Sequence, residues 1–179
     1  NIMSKNCNRI LDLINQLLDF RKIEEKGEQY KLKGYSITSI LKEVTSRFLS
    51  AAKEKGLDFK VYYPKEDVMT EVDKDAFIKA ISNLLTNAFK YTTSKVIVRL
   101  KINFKRNVYS ISVMDDGPGV NVNEQDLIFE PFYQASGHKH GTGVGLSIVK
   151  RVVDGHNGTI TIMEKDDGLT HFYLEFPII

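Results

Sequence analysis

Asn83, Asn87, Lys90 and Tyr91 stand at i, i+4, i+7 and i+8. On a helix these positions share one face, so two carboxamides, an ammonium and a phenol converge. Carboxamide oxygens suit Mg²⁺, a hard cation that prefers oxygen, and an ammonium beside them suits phosphate oxygens. The face lies next to an apolar stripe of Phe77, Ile81, Leu84, Leu85 and Ala88, at the edge of a core. Taken alone, the pattern reads equally well as a solvated helix face. A second cluster, Asp115-Asp116-Gly117-Pro118-Gly119, follows the alternating run Tyr109, Ile111, Val113. Alternation turns Asp115 toward the apolar side, where a carboxylate needs a hydrogen-bond donor; the amino group of adenine is one. Gly117 and Gly119 permit a sharp turn and leave room for a ring, although an ordinary Asp-Gly turn has the same composition. In the third cluster, Gly141-Thr142-Gly143-Val144-Gly145-Leu146-Ser147, glycines open a helix. Exposed amides and the helix dipole there attract phosphate. The spacing is not that of the dinucleotide fingerprint, and no Gly-Lys-Ser/Thr of a P-loop occurs.

The elements that must position these clusters are legible from periodicity. Residues 3–23 carry apolar side chains at helical spacing (Met3, Cys7, Ile10, Ile14, Leu17), widened by Leu11, Leu13, Leu18 and Phe20. A helix apolar on several sides needs several neighbours, as in a bundle. The polar stretch 24–34 supplies none, so the partner comes from elsewhere or from a second copy of the chain. Ser36 caps a helix expected to run to about residue 55, with Ile37, Ile40, Leu41, Val44 and Phe48 inward and Gly56 as its stop. Strands follow at 57–63 and 68–72. Asp73 caps the helix that carries Asn83 and Asn87. Residues 95–104 and 108–114 form a hairpin about Lys105-Arg106-Asn107. Residues 116–141 are long and irregular, a length that is often functional. A helix at 143–154, then a hairpin of 160–163 with 171–176, completes an α+β two-layer sandwich. Its sheet is mixed but mostly antiparallel, with three helices on one face and the N-terminal helix ahead of them.

Composition narrows the function classes. With 179 residues and 42% hydrophobic content, the chain builds one ordinary domain plus an appended element. A net charge of +2 gives no reason to expect nucleic acid as a partner. Cys7 is the single cysteine, which excludes an internal disulfide and disfavours a cysteine-held metal. No apolar run is long enough to span a membrane. The chain begins inside a helical pattern, and the expectation is a piece of a longer protein.

The ordered set of motifs also carries a resemblance. Asn83-Leu84-Leu85-Thr86-Asn87-Ala88-Phe89-Lys90-Tyr91-Thr92 resembles the N box of sensor histidine kinases. Asp115-x-Gly117-x-Gly119 resembles their G1 box, Phe129-Glu130-Pro131-Phe132-Tyr133 their F box, and Gly141-Thr142-Gly143-Val144-Gly145-Leu146 their G2 box. Gly168-Leu169-Thr170-His171-Phe172 is similar to their last glycine/threonine motif, and residues 15–24 resemble the second helix of the dimerisation domain, particularly in hybrid sensors. The resemblance implies a Bergerat-type ATP-binding fold of the GHKL superfamily, with residues 1–30 as a remnant of the dimerisation domain and linker and 31–179 as the catalytic domain. It implies Asn87 as a Mg²⁺ ligand supported by Asn83, Lys90 on phosphate, Tyr91 near adenine and Asp115 on the adenine amino group. Gly117, Gly119, Phe132 and Thr170 complete the ATP site, while Gly141, Thr142, Gly143, Val144, Gly145 and Leu146 line its phosphate side. Residues 121–140 form a lid.

The implied activity is transfer of the γ-phosphate of ATP to a histidine, for relay to a response-regulator aspartate. None of His138, His140, His156 or His171 has the sequence context of that acceptor, so it is expected ahead of Asn1, and the chain is expected to bind Mg-ATP without labelling itself. Related gyrase-like ATPases carry a glutamate where this chain has Asn83. An amide is no general base, so hydrolysis is expected to be very slow. The implied partners are the dimerisation domain of the same kinase, a receiver domain and a second protomer. The implied location is the cytoplasmic side of an inner-membrane sensor. A nucleotide-binding relay module without turnover is the alternative.

Overall fold

The structure is a computed structural model that describes Ile14 and residues 30–135, 142–163 and 168–179. The predicted N-terminal helix lies outside the described residues except for Ile14, which is helical and exposed. Residues 136–140 of the expected lid, Gly141 of the glycine cluster and 164–167 of the last turn also lie outside them.

Strand β1 (Lys33–Ser36) leads into helix α1 (Ile37–Ser46) and a short α2 (Leu49–Lys55). After β2 (Asp58–Tyr62) and β3 (Met69–Val72) comes the long α3 (Lys74–Tyr91). The hairpin β4 (Lys95–Asn103) and β5 (Val108–Asp115), then α4 (Gly145–Gly155), β6 (Thr159–Met163) and β7 (Thr170–Pro177), complete the chain. The main sheet has the order β2-β4-β5-β7-β6, with β2 parallel to β4 and the other pairs antiparallel. One face of it supplies Val96, Val98, Leu100, Tyr109, Ile111, Val113, Phe172, Leu174 and Phe176 to a single core shared with the helices. Each large side chain so buried contributes about 1.5–3 kcal/mol. The architecture is the expected α+β sandwich.

The caps read from sequence are in place. Ser36 Oγ accepts from Ser39 N (2.9 Å), Asp73 Oδ1 accepts from Ala76 N (3.1 Å), and Gly56 ends α2 in the left-handed conformation. Two expectations are corrected. The helix expected over 36–55 is broken at Arg47 and Phe48, where the turn tightens to Arg47 N–Val44 O and Phe48 N–Thr45 O bonds. No glycine or proline causes this. The Thr45 hydroxyl donates to Leu41 O (2.8 Å), and the Phe48 ring packs against Phe89 at 5.2 Å. That tertiary contact redirects the chain. The stretch 24–34, expected to be a plain polar link, ends instead in β1, which pairs antiparallel with β3 as a separate two-stranded sheet. His156 and His171, neither of which has the acceptor's sequence context, are buried at 5% and 4% exposure. His156 has both ring nitrogens committed, Nε2 accepting from Asp73 N and Nδ1 lying 2.7 Å from Val152 O.

Candidate functional site

The C-terminal half of α3, the ends of β5 and β7 and the first turn of α4 enclose a cavity of about 490 Å³, within the range of small-ligand sites. Asn83, Asn87, Lys90 and Tyr91 all line it, as their spacing predicts, with Thr86 between them. The amide oxygen of Asn83 lies 3.4 Å from where a β-carbon on Gly145 would stand, so α3 and α4 abut there. Lys90 Nζ donates to the Tyr91 hydroxyl (2.7 Å) at the exposed rim.

Asp115 lies on the floor of the cavity at 4% exposure, on the apolar side that alternation indicated. The β5–β7 register sets it opposite Thr170. Its Oδ1 accepts from Gly117 N at 2.9 Å, and Oδ2 has no protein hydrogen bond among the described residues. Burial pushes its carboxyl up to about 6, with the Gly117 N–H pulling the other way and neighbouring Asp116 adding to the rise. Thr170 Oγ1 is buried without a partner among the described residues. Gly117 is needed for space: a β-carbon there would stand 2.6 Å from Asp115 Oδ1 and 2.7 Å from Tyr91 O.

Asp116 was not singled out by the sequence, and it holds the site together. Its carboxylate accepts from the backbone N–H groups of Thr93 (2.9 Å), Ser94 (3.0 Å) and Lys95 (3.1 Å) and from the hydroxyls of Thr92 and Ser94. The end of α3, with Lys90 and Tyr91, is thereby tied to the end of β5, with Asp115. Burial would raise the Asp116 carboxyl, but the bonds from Ser94, Thr92 and Lys95 outweigh it and hold the group well below the usual carboxylate range. Asp116→Ala should therefore lower stability by about 2 kcal/mol, measured by urea unfolding at pH 7. A carboxyl held low stabilises the fold above its unfolded value and loses that contribution as pH falls through the folded one. The difference between Asp116→Ala and the native chain should thus shrink only below about pH 4.

The glycine cluster forms the opposite wall through Thr142, Gly143, Gly145 and Leu146. Val144 caps α4 with no side-chain hydrogen bond and is itself buried, behind the wall. The first-turn amides of α4 therefore offer an anion site. Gly141 lies outside the described residues. Among the other expected residues, Gly119 lines the cavity, while Gly117 sits behind Asp115. Phe132 is placed off the wall, exposed at 59%, and its neighbour Tyr133 lines the cavity instead. Phe132 has φ 67, and its N–H donates to Gly143 O (2.9 Å). The residues flanking 136–141 are thus clasped together at the cavity edge. Tyr133 donates its hydroxyl to Glu124 Oε1 (2.9 Å). Val120, Ile128 and Phe172, which sequence reasoning missed, supply an apolar slot beside Asp115. Only their hydrophobicity signalled them, and that is shared with the whole core.

The donor set fits a purine nucleotide with a divalent cation. An acceptor oxygen and an unpartnered hydroxyl face an apolar slot, and uncapped helix amides stand across from it. Among the described residues no cluster of three His, Cys, Asp or Glu could hold a metal. Mg²⁺ would then rest on carboxamide and ligand oxygens, which suits its habit of binding few protein ligands alongside phosphates and water.

Comparison with known proteins points the same way. Residues 72–179 match the family described as histidine kinase-, DNA gyrase B-, and HSP90-like ATPase. Hybrid signal transduction histidine kinase D of Dictyostelium discoideum is 34% identical over 186 residues, which cover 99% of this chain and 12% of that protein. The sensor protein kinase WalK of Staphylococcus haemolyticus is 29% identical over 182 residues, covering 98% of this chain and 30% of its own length. The chain therefore spans a minor part of each relative. Full-length ShkA in complex with AMPPNP has a TM-score of 0.84 at 25% identity, over 95% of this chain and 36% of that one. The nucleotide-free catalytic domain of histidine kinase ThkA has a TM-score of 0.74 at 24% identity, over 83% of this chain and 96% of its own, a likeness of fold.

Proposed function

The chain belongs to the family of histidine kinase-, DNA gyrase B- and HSP90-like ATPases, and on that premise we propose that it binds Mg-ATP and presents the γ-phosphate to a histidine of a dimerisation helix. The observation that carries this reading is the meeting in one cavity of the Asn83–Tyr91 face, a buried Asp115 with an uncommitted oxygen, and the uncapped start of α4. Asp115 Oδ2 accepts from the adenine amino group, and Thr170 Oγ1 bonds the ring edge. Val120, Ile128 and Phe172 exclude water from the base. Asn87, with Asn83 beside it, holds Mg²⁺, and Lys90 turns from Tyr91 to the phosphates. Gly143, Gly145 and the α4 amides cradle the phosphate chain, and the loop of residues 121–135 borders it. Mg²⁺, when bound, would neutralise phosphate charge, one of the two things, with positioning, that phosphoryl transfer chiefly needs.

The acceptor histidine belongs to a separate helix. His156 and His171 are buried in the fold, and His138 and His140 lie outside the described residues. The proposed partners are that dimerisation domain and a receiver domain that takes the phosphate onward. Residues 1–30 form the remnant of the dimerisation domain and linker, and 31–179 the catalytic domain; β1 beginning at Lys33 accords with this. Among the described residues no helix is long and apolar enough to cross a membrane, and a cytoplasmic position beneath a membrane sensor is part of the proposal. Asn83 in place of a basic carboxylate makes ATP turnover by water slow.

The test is to mix the chain with an isolated helical hairpin carrying the acceptor histidine and to assay acid-labile phosphate. Transfer to the hairpin, with none retained on this chain and hydrolysis far slower than once per second, is the expected result. Nucleotide binding without transfer would favour a relay module instead.

A further inference from the structure

Gly155 closes α4, yet its backbone is not in the left-handed region that usually explains a glycine at a helix end. That conformation falls to Asn157, at φ 54. Space explains the glycine instead. A β-carbon at position 155 would stand 1.9 Å from Cε2 of Tyr30 and 2.7 Å from Cδ2 and Cζ. The Tyr30 ring occupies that spot with its centroid 4.9 Å from the His156 ring, and its hydroxyl donates to Arg151 O at 3.1 Å. The next residue, Lys31, donates its backbone N–H to Asp73 Oδ2 (2.9 Å). Asp73 caps α3 through its other oxygen, and its own N–H donates to His156 Nε2 (2.9 Å).

The chain entering the fold is therefore fastened at one node to the C-terminal end of α4 and the N-terminal end of α3. The far ends of the same two helices are cavity walls, at Gly145 and at Lys90 and Tyr91. Both helices are packed in the core over most of their length, so the cavity keeps its shape and turns with the fold as one body about this node.

We infer that Tyr30, seated on Gly155, is a positioning residue for phosphate transfer: it fixes how the catalytic fold sits on the segment that precedes it, and so how the nucleotide approaches the acceptor histidine. This rests on the kinase reading above. Alignment is a transition-state requirement, so loss of the joint slows transfer without weakening ATP binding.

The experiment uses the kinase carrying its dimerisation helices, and compares Tyr30→Ala, Tyr30→Phe, Gly155→Ala and the double variant Tyr30→Ala/Gly155→Ala. Histidine phosphorylation at saturating ATP should fall about tenfold or more in Tyr30→Ala and Gly155→Ala. Calorimetric ATP affinity should stay within about twofold of native, and Tyr30→Phe should keep most of the rate. In thermal melts Gly155→Ala should destabilise the native chain but stabilise the Tyr30→Ala background, because alanine is the better helix former once the ring is gone. An unchanged transfer rate, a parallel loss of ATP affinity, or additive effects of the two substitutions on the melt would each overturn the inference. Failure of the native kinase to transfer phosphate at all would overturn the kinase reading, and the positioning role with it.

Discussion

Replacing Asp115 with asparagine should weaken ATP binding by about 100-fold or more, with the melting temperature of the nucleotide-free protein little reduced. The size of the effect follows from which oxygen is already committed. Gly117 N–H takes Oδ1, and an asparagine must keep its single oxygen there. Its NH₂ group then replaces Oδ2 and faces the adenine amino group, donor against donor, at a site with 4% exposure and little water to mediate. Titration calorimetry of both proteins with Mg-ATP decides the matter, and equal affinities would remove adenine from this position. The native protein should show a linked pH dependence. Burial raises the Asp115 carboxyl to about 6, and only the ionised form offers both oxygens as acceptors. ATP affinity should therefore rise with pH and level off above about 6, and binding near that pH should release a proton. The stability of the free protein should move the opposite way. A carboxyl whose folded value is raised binds its proton more tightly in the native state, so its contribution declines as pH rises from about 4 to 6.

Gly143→Ala is the second large expected effect, and it concerns the cavity edge. Gly143 has φ 73, where a β-carbon costs about 1 kcal/mol or more. That β-carbon would stand 2.6 Å from Phe132 C and 2.7 Å from Tyr133 O. Both are backbone atoms that cannot rotate away. The Phe132 N–Gly143 O bond would have to open, and with it the clasp that sets Tyr133 against the cavity. Neither Phe132 nor Gly143 belongs to the core cluster. Nucleotide affinity should therefore fall by about tenfold while the melting temperature changes by only a few degrees. Unaltered affinity for ATP would show that the clasp does not shape the site.

Much of the site was legible because it is written in local periodicity. Asn83, Asn87, Lys90 and Tyr91 needed only helical spacing, Asp115 only strand alternation, and the α1 and α3 caps only a side-chain oxygen ahead of an apolar run. Within an element the chemistry of one residue constrains its neighbours directly, so these features survive into the fold unchanged. The F-box segment was less legible. Position alone did not tell Phe132 from Tyr133, because the irregular backbone has no period from which to read a direction, and φ 67 at Phe132 turns that ring outward.

What the sequence by itself determined, then, is the order of helices and strands from β2 onward, the faces they bury, and most of the polar groups aimed at the cavity. The tertiary structure alone decided the parallel pairing of β2 with β4, the break between α1 and α2, the tie of Asp116 across the ends of α3 and β5, and the seat of Tyr30 on Gly155. Each of these joins groups far apart in the chain: Tyr30 meets Arg151 across 121 positions, and Asp116 meets Ser94 across 22. Such contacts are selected by the packing of whole elements against one core. No local pattern records them, since an aspartate after a strand or a glycine at a helix end has the same local chemistry whichever partner the fold brings to it.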